Sequence, residues 1–110
     1  MTEHEQPVAY HVPIKPMLGR AASDPVDLLA NLNKEVDKTR LSAEFKYDGE
    51  RSHIHFDGTR VSLFSRSCDT QNLKFWQLHE QLTKDLAGKP KFIADGEVVY
   101  VDFDGNLLPF

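Results

Sequence analysis

The spacing of apolar residues changes several times along the chain, and each change predicts an element. Residues 1 to about 12 show no periodicity and read as a tail or linker. Pro13-Ile14-Lys15-Pro16-Met17-Leu18 is expected to be extended, because a proline disfavours helix in the residue before it. Asp24-Pro25 reads as a helix start, with Asp24 as N-cap and Pro25 at the first helical position. Val26, Leu29, Ala30, Leu32 and Val36 continue a helical pattern to about Asp37.

From Leu41 the period shortens. Ala43, Phe45 and Tyr47 alternate with Glu44 and Lys46, the spacing of a strand. Ser52 to Phe56 and Val61 to Ser65 read as two further strands, joined by a hairpin at Asp57-Gly58. Leu73 to Ala87 returns to helical spacing, with Phe75, Leu78, Leu82 and Leu86 on one core-facing stripe and Trp76 at its margin. Gly88 and Pro90 stop that helix. Phe92 to Ala94 and Val98 to Asp102 read as strands flanking Asp95-Gly96-Glu97. Asp104-Gly105 reads as a hairpin turn, and Leu107 to Phe110 as the start of another strand. Helices around a β-rich section make the class α+β. The chain ends at Phe110 inside an apolar run, which leads us to expect a fragment.

Size and charge narrow this only a little. A length of 110 residues is one domain at most or part of one. Hydrophobic residues at 40% and charged residues at 27% fit a soluble globular domain. No apolar run approaches the ~20 residues that span a bilayer, so no membrane partner is expected. The single cysteine, Cys68, excludes an internal disulfide and a multi-cysteine zinc cluster. A net charge of −4 argues against a dedicated DNA clamp, which carries a basic patch. It leaves room for a catalytic module that touches nucleic acid over a small area. The five histidines lack metal-ligand spacing, and His53 and His55 read as structural or surface residues.

The candidate chemistry centres on Lys46. On a strand, Glu44 and Lys46 share a face. Asp48-Gly49 turns the chain, and Arg51 returns towards the lysine. Two cations and a carboxylate suit a nucleotide: the cations meet phosphate, and the carboxylate accepts from an amine or hydroxyl. A lysine nucleophile must be neutral, and nearby cations with partial burial favour that form. Taken alone, Lys-x-Asp-Gly also fits a solvated strand lysine beside an ordinary hairpin.

The longer pattern resembles the covalent nucleotidyltransferases, and within them the ATP-dependent DNA ligases of the eukaryotic ligase I-like group. Lys46-Tyr47-Asp48-Gly49-Glu50-Arg51 is similar to the family's nucleophile motif, Lys-x-Asp-Gly-x-Arg, and Glu44 occupies its upstream glutamate position. Pro13 to Leu18 resembles the opening of the adenylation domain, and Arg51 to His55 the strand after the nucleophile. Leu63-Phe64-Ser65-Arg66 resembles the Phe-Ser-Arg motif. Phe92 to Glu97 resembles the strand whose glutamate faces the nucleotide, and Leu108-Pro109-Phe110 the segment after it.

The resemblance implies an antiparallel β-rich nucleotidyltransferase (ATP-grasp-like DNA ligase) subdomain with flanking helices, incomplete, over residues 13–110. It implies that Lys46 attacks the α-phosphorus of ATP and carries AMP, and that Glu44 reads the adenine amine. Arg51 would hold the ribose or the nicked DNA end, Arg66 the nucleotide or the 5′-phosphate, and Glu97 the ribose and Mg2+. The implied partner is nicked double-stranded DNA, met by a monomeric, intracellular and nuclear enzyme. Many relatives have asparagine where this chain has Ser67, whose shorter hydroxyl reaches less far towards a phosphate. The family also needs an adenine-stacking aromatic, a second metal-binding glutamate, a lysine pair and an oligonucleotide-binding-fold domain. All are expected beyond Phe110, so this chain alone is expected to be inactive. The alternatives are an RNA ligase, an mRNA-capping guanylyltransferase, or a non-catalytic truncated product.

Overall fold

A computed structural model of the chain describes residues 7–35 and 42–109. In order, it contains α1 (Pro25–Glu35), β1 (Glu50–Phe56), β2 (Val61–Phe64), α2 (Trp76–Asp85) and β3 (Phe92–Val98). Two compact units result: Met1–Pro16 with Tyr47–Phe110, and Met17–Lys46.

The first unit is built on a three-stranded antiparallel sheet in the order β2-β1-β3. Alternation along β1 sends Ser52, Ile54 and Phe56 to one face and Arg51, His53 and His55 to the other. The Phe56 face is apolar because its partners are apolar: Phe56 lies opposite both Val61 and Phe92, and Ile54 opposite both Leu63 and Ala94. Helix α2 covers this face. Phe56, Val61, Leu63 and Phe75 are buried, with Ile54, Leu78, Leu82, Leu86, Phe92 and Val98 packed around them. The expected helical stripe is therefore the core stripe, and Trp76 stands at its margin, 58% exposed. A buried Leu or Phe is worth about 1.5–3 kcal/mol, against about 1 kcal/mol or less for an exposed ion pair. The apolar face holds this unit together.

Connections follow from local chemistry. At the β1–β2 hairpin, Gly58 takes a positive φ of 101°. The Asp57 carboxylate accepts from the backbone N–H groups of Thr59 and Arg60 at 2.8 and 2.7 Å. Gly88, with φ 76°, follows the end of α2. The Asp104-Gly105 turn forms as expected: Gly105 has φ 86°, the Asp102 N–H donates to the Asn106 carbonyl at 2.9 Å, and Val101 pairs with Leu107.

Three strand expectations are corrected. Asp95-Gly96-Glu97 does not separate two strands; it lies inside β3, with Gly96 opposite Ser52. Asp-Gly is a turn signal only where the backbone is free to turn, and here β1 supplies a ladder along the whole of β3. The strand expected over Val98 to Asp102 is reduced to the end of β3 and the single bridge at Val101. Residues 42–48 form no strand either, although their alternation is real. Among the described residues no ladder or bridge includes residues 42–48, and a period of two becomes a strand only beside a neighbour.

In the second unit, α1 starts as expected. Asp24 accepts the Asp27 N–H at 2.8 Å, and Pro25 opens the helix. Val26 and Leu29 are exposed, at 76% and 56%. Residues 36 and 37 of the expected helix, and Phe110 of the last expected strand, lie outside the described residues.

Candidate active site

The face of the sheet turned away from α2 carries the charged residues. Arg51 lies directly opposite Glu97, and His53 directly opposite Asp95, in the β1–β3 register. Gly96 between the two carboxylates points to the other face, so Asp95 and Glu97 emerge together. Arg51 takes the diagonal partner. Its Nε donates to Asp95 Oδ1 at 3.0 Å and its Nη2 to Oδ2 at 2.5 Å. His53 Nε2 lies 3.2 Å from Asp95 Oδ1. The hydrogen bonds from Arg51 first, helped by the charges of Arg51 and His53, hold the Asp95 carboxyl below the usual carboxylate range, against the opposing effect of burial. The same bonds hold the Arg51 guanidinium in its charged form, and the charge of Glu97 adds to that.

The chain enters β1 through a tight approach. A Cβ on Gly49 would collide with the Val98 carbonyl and meet Val99 Cγ1 at 2.9 Å. Only a glycine fits there, which gives a physical reason for glycine three residues after Lys46. On the core side, Glu50 pairs with Lys74 at 2.6 Å and accepts from buried Gln71 at 3.1 Å, fixing the start of β1.

At the far end of this face, His11 clasps the β1–β2 hairpin. Its backbone N–H donates to His55 Nδ1 at 3.0 Å, and its ring bonds Ser62 Oγ at 2.6 Å and Asp57 Oδ2 at 2.7 Å. The Arg60 N–H first, then His11 and the Thr59 N–H, hold the Asp57 carboxyl well below the usual range. His55 is fully buried, against the edge of Phe64 with ring centroids 5.1 Å apart. Burial, with the nearby charges of His11 and His53, pushes its imidazole down.

Among the residues expected from the sequence, Arg51 and Glu97 are brought together as ladder partners. Arg66 is exposed in the loop after β2, where Ser67 Oγ donates to Asp69 at 2.9 Å and Cys68 has φ 68°. Glu44 and Lys46 belong to the second unit and are both exposed on the irregular segment. Sequence reasoning passed over Asp95 in favour of Glu97, and read His53 and His55 as structural or surface residues. A His-x-His spacing on a strand beside Asp-x-Glu was the available signal for a shared face. Nothing local marked His11, whose partners lie more than 40 residues away.

No cluster of three or more metal-ligating side chains occurs among the described residues, and none of their helices is long and apolar enough to cross a membrane. A family model described as ATP dependent DNA ligase domain matches residues 16–110. The chain is 35% identical over 100 residues to a DNA ligase of Acidianus ambivalens, covering 90% of this chain and 16% of the relative. It is 34% identical over 100 residues to a DNA ligase of Hyperthermus butylicus, covering 90% and 16%. It is 33% identical over 104 residues to one from Archaeoglobus fulgidus, covering 94% and 17%. The chain thus spans about a sixth of the length of the curated relatives it matches.

Proposed function

The chain belongs to the ATP-dependent DNA ligase domain family, and from that premise we propose that it supplies the nucleophile and one wall of the ATP pocket of a nick-sealing ligase. The observation that carries this reading is the opposition of Arg51 and Glu97 across β1 and β3. Two nucleotide contacts implied by separate motifs share one face of one ladder.

Lys46 Nζ, deprotonated, attacks the α-phosphorus of ATP; the bond to the β-phosphate oxygen breaks and pyrophosphate leaves. AMP remains on Lys46 as a phosphoramide. A 5′-phosphate oxygen at a nick then attacks that phosphorus and the P–N bond breaks. The 3′-hydroxyl finally displaces AMP and closes the strand. Glu44 accepts from the adenine amine, Arg51 and Arg66 meet anionic oxygens, and Glu97 accepts from the ribose. Preorganised charge of this kind is ordinarily the largest catalytic contribution.

Glu97 also fits the metal role. Arg51 and His53 engage Asp95, which leaves the exposed Glu97 carboxylate to other partners. Mg2+ is ordinarily bound by one or two carboxylates together with substrate phosphates. When bound, it neutralises phosphate charge. The nucleotidyltransferase (ATP-grasp-like) assignment of the fold and a monomeric state belong to the same reading. The nuclear location implied by the eukaryotic resemblance gains no support from these archaeal relatives.

RNA ligase and capping enzyme are the less favoured readings, since both the family model and the relatives are DNA ligases. The test uses a complete ligase polypeptide carrying residues 1–110, supplied with labelled ATP or GTP and with nicked DNA or nicked RNA. ATP-dependent sealing of nicked DNA is expected. Labelling by GTP alone, or sealing of RNA alone, contradicts the reading.

A further inference from the structure

We propose that Asp95 and His53 are positioning residues for Arg51, setting its guanidinium to receive an anionic phosphate oxygen. This rests on the reading of Arg51 as a nucleotide or nick contact.

Arg51 is a long side chain at 31% exposure, and in isolation it samples many rotamers. The directly opposite residue is Glu97, yet both of its hydrogen bonds run diagonally to Asp95. The contact is bidentate, Nε to one oxygen and Nη2 to the other. That arrangement fixes the plane of the guanidinium as well as its position. The N–H donors left over then point in a set direction, as a planar fork requires.

Asp95 is itself half-exposed, at 52%, and would rotate without a further contact. His53 provides one. It is buried at 7%, sits two residues from Arg51 on the same face, and brings Nε2 to 3.2 Å from the oxygen that receives Arg51 Nε. Arg51, Asp95 and His53 thus form a chain in which a buried ring steadies a carboxylate and the carboxylate steadies a cation. Asp95 and His53 act through Arg51 and need not touch substrate.

The test is a double-mutant cycle in a complete ligase polypeptide carrying residues 1–110. Lysine adenylylation, AMP transfer to a nick and sealing are followed separately by single turnover. Arg51→Ala and Asp95→Ala are each expected to slow the same step, by roughly 10- to 100-fold. Added to Arg51→Ala, Asp95→Ala should cost less than about twofold more, because the two act as one unit. His53→Ala should slow that step less than Asp95→Ala does, and His53→Gln, which keeps a polar group beside Asp95, should recover part of the loss. Should Asp95→Ala fail to fold, Asp95→Asn replaces it in the cycle. Equal losses from Asp95→Ala in both backgrounds, or none in the unmodified background, overturn the proposal alone. Unchanged rates for Arg51→Ala overturn it together with the assignment of Arg51.

Discussion

Gly49 packs its Cα against the Val98 carbonyl, so the turn that follows the lysine motif is seated on the end of the strand bearing Glu97. An alanine at 49 has nowhere to place its methyl without moving backbone. Gly49→Ala is expected to destabilise the fold by about 1–3 kcal/mol, the usual cost of overpacking. Urea denaturation checks this, and a midpoint equal to that of the unmodified chain would show that the approach is loose.

Leu63 is fully buried between the sheet and α2. Leu63→Ala is expected to cost about 2–5 kcal/mol. The measurement is the shift in urea midpoint at unchanged slope. Leu29→Ala, on exposed α1, should change stability by less than about 0.5 kcal/mol.

His55 makes the fold sensitive to acid. Its folded value lies below the ordinary imidazole value of about 6.5. A depressed value means stability that is present above about pH 6.5 and lost as pH falls through the folded value. Protonation also removes the Nδ1 lone pair that accepts the His11 N–H. Asp57 adds a second loss of the same sign, further down, as its carboxylate protonates. Melting temperature should therefore fall between pH 7 and pH 5. His55→Asn, which keeps an acceptor near the Nδ1 position, should flatten that fall although it lowers stability at pH 7. An equal pH slope in the variant would rule His55 out as the source.

Asp24 caps α1 through the Asp27 N–H. Asp24→Ala is expected to cost ~1 kcal/mol of helix stability, as caps do. Far-UV circular dichroism should show reduced helicity, and an unchanged spectrum would contradict the capping role.

Much of the scaffold was legible because it is local. Asp57-Gly58 marked its hairpin, Asp24-Pro25 its helix start, and Phe75, Leu78, Leu82 and Leu86 the core stripe. What failed depended on partners distant in sequence. Asp95-Gly96 looked like a turn until β1 paired with it, and the alternation around Lys46 looked like a strand although no ladder or bridge among the described residues includes it. The site divides the same way. The turn after Lys46 singled out Arg51 and the family resemblance singled out Glu97, but the hydrogen bonds from Arg51 to Asp95 follow from register, which a linear sequence does not display.

Whether Lys46 carries AMP is the central question, and mass spectrometry answers it directly. A complete ligase polypeptide carrying residues 1–110 is incubated with ATP and Mg2+, digested, and its peptides mapped for an AMP adduct. The adduct is expected on Lys46 and should be absent from Lys46→Arg, while the 110-residue chain, with Lys46 exposed on an irregular segment, should label orders of magnitude more slowly. An adduct on another residue, or undiminished labelling of Lys46→Arg, would contradict the assignment of the nucleophile.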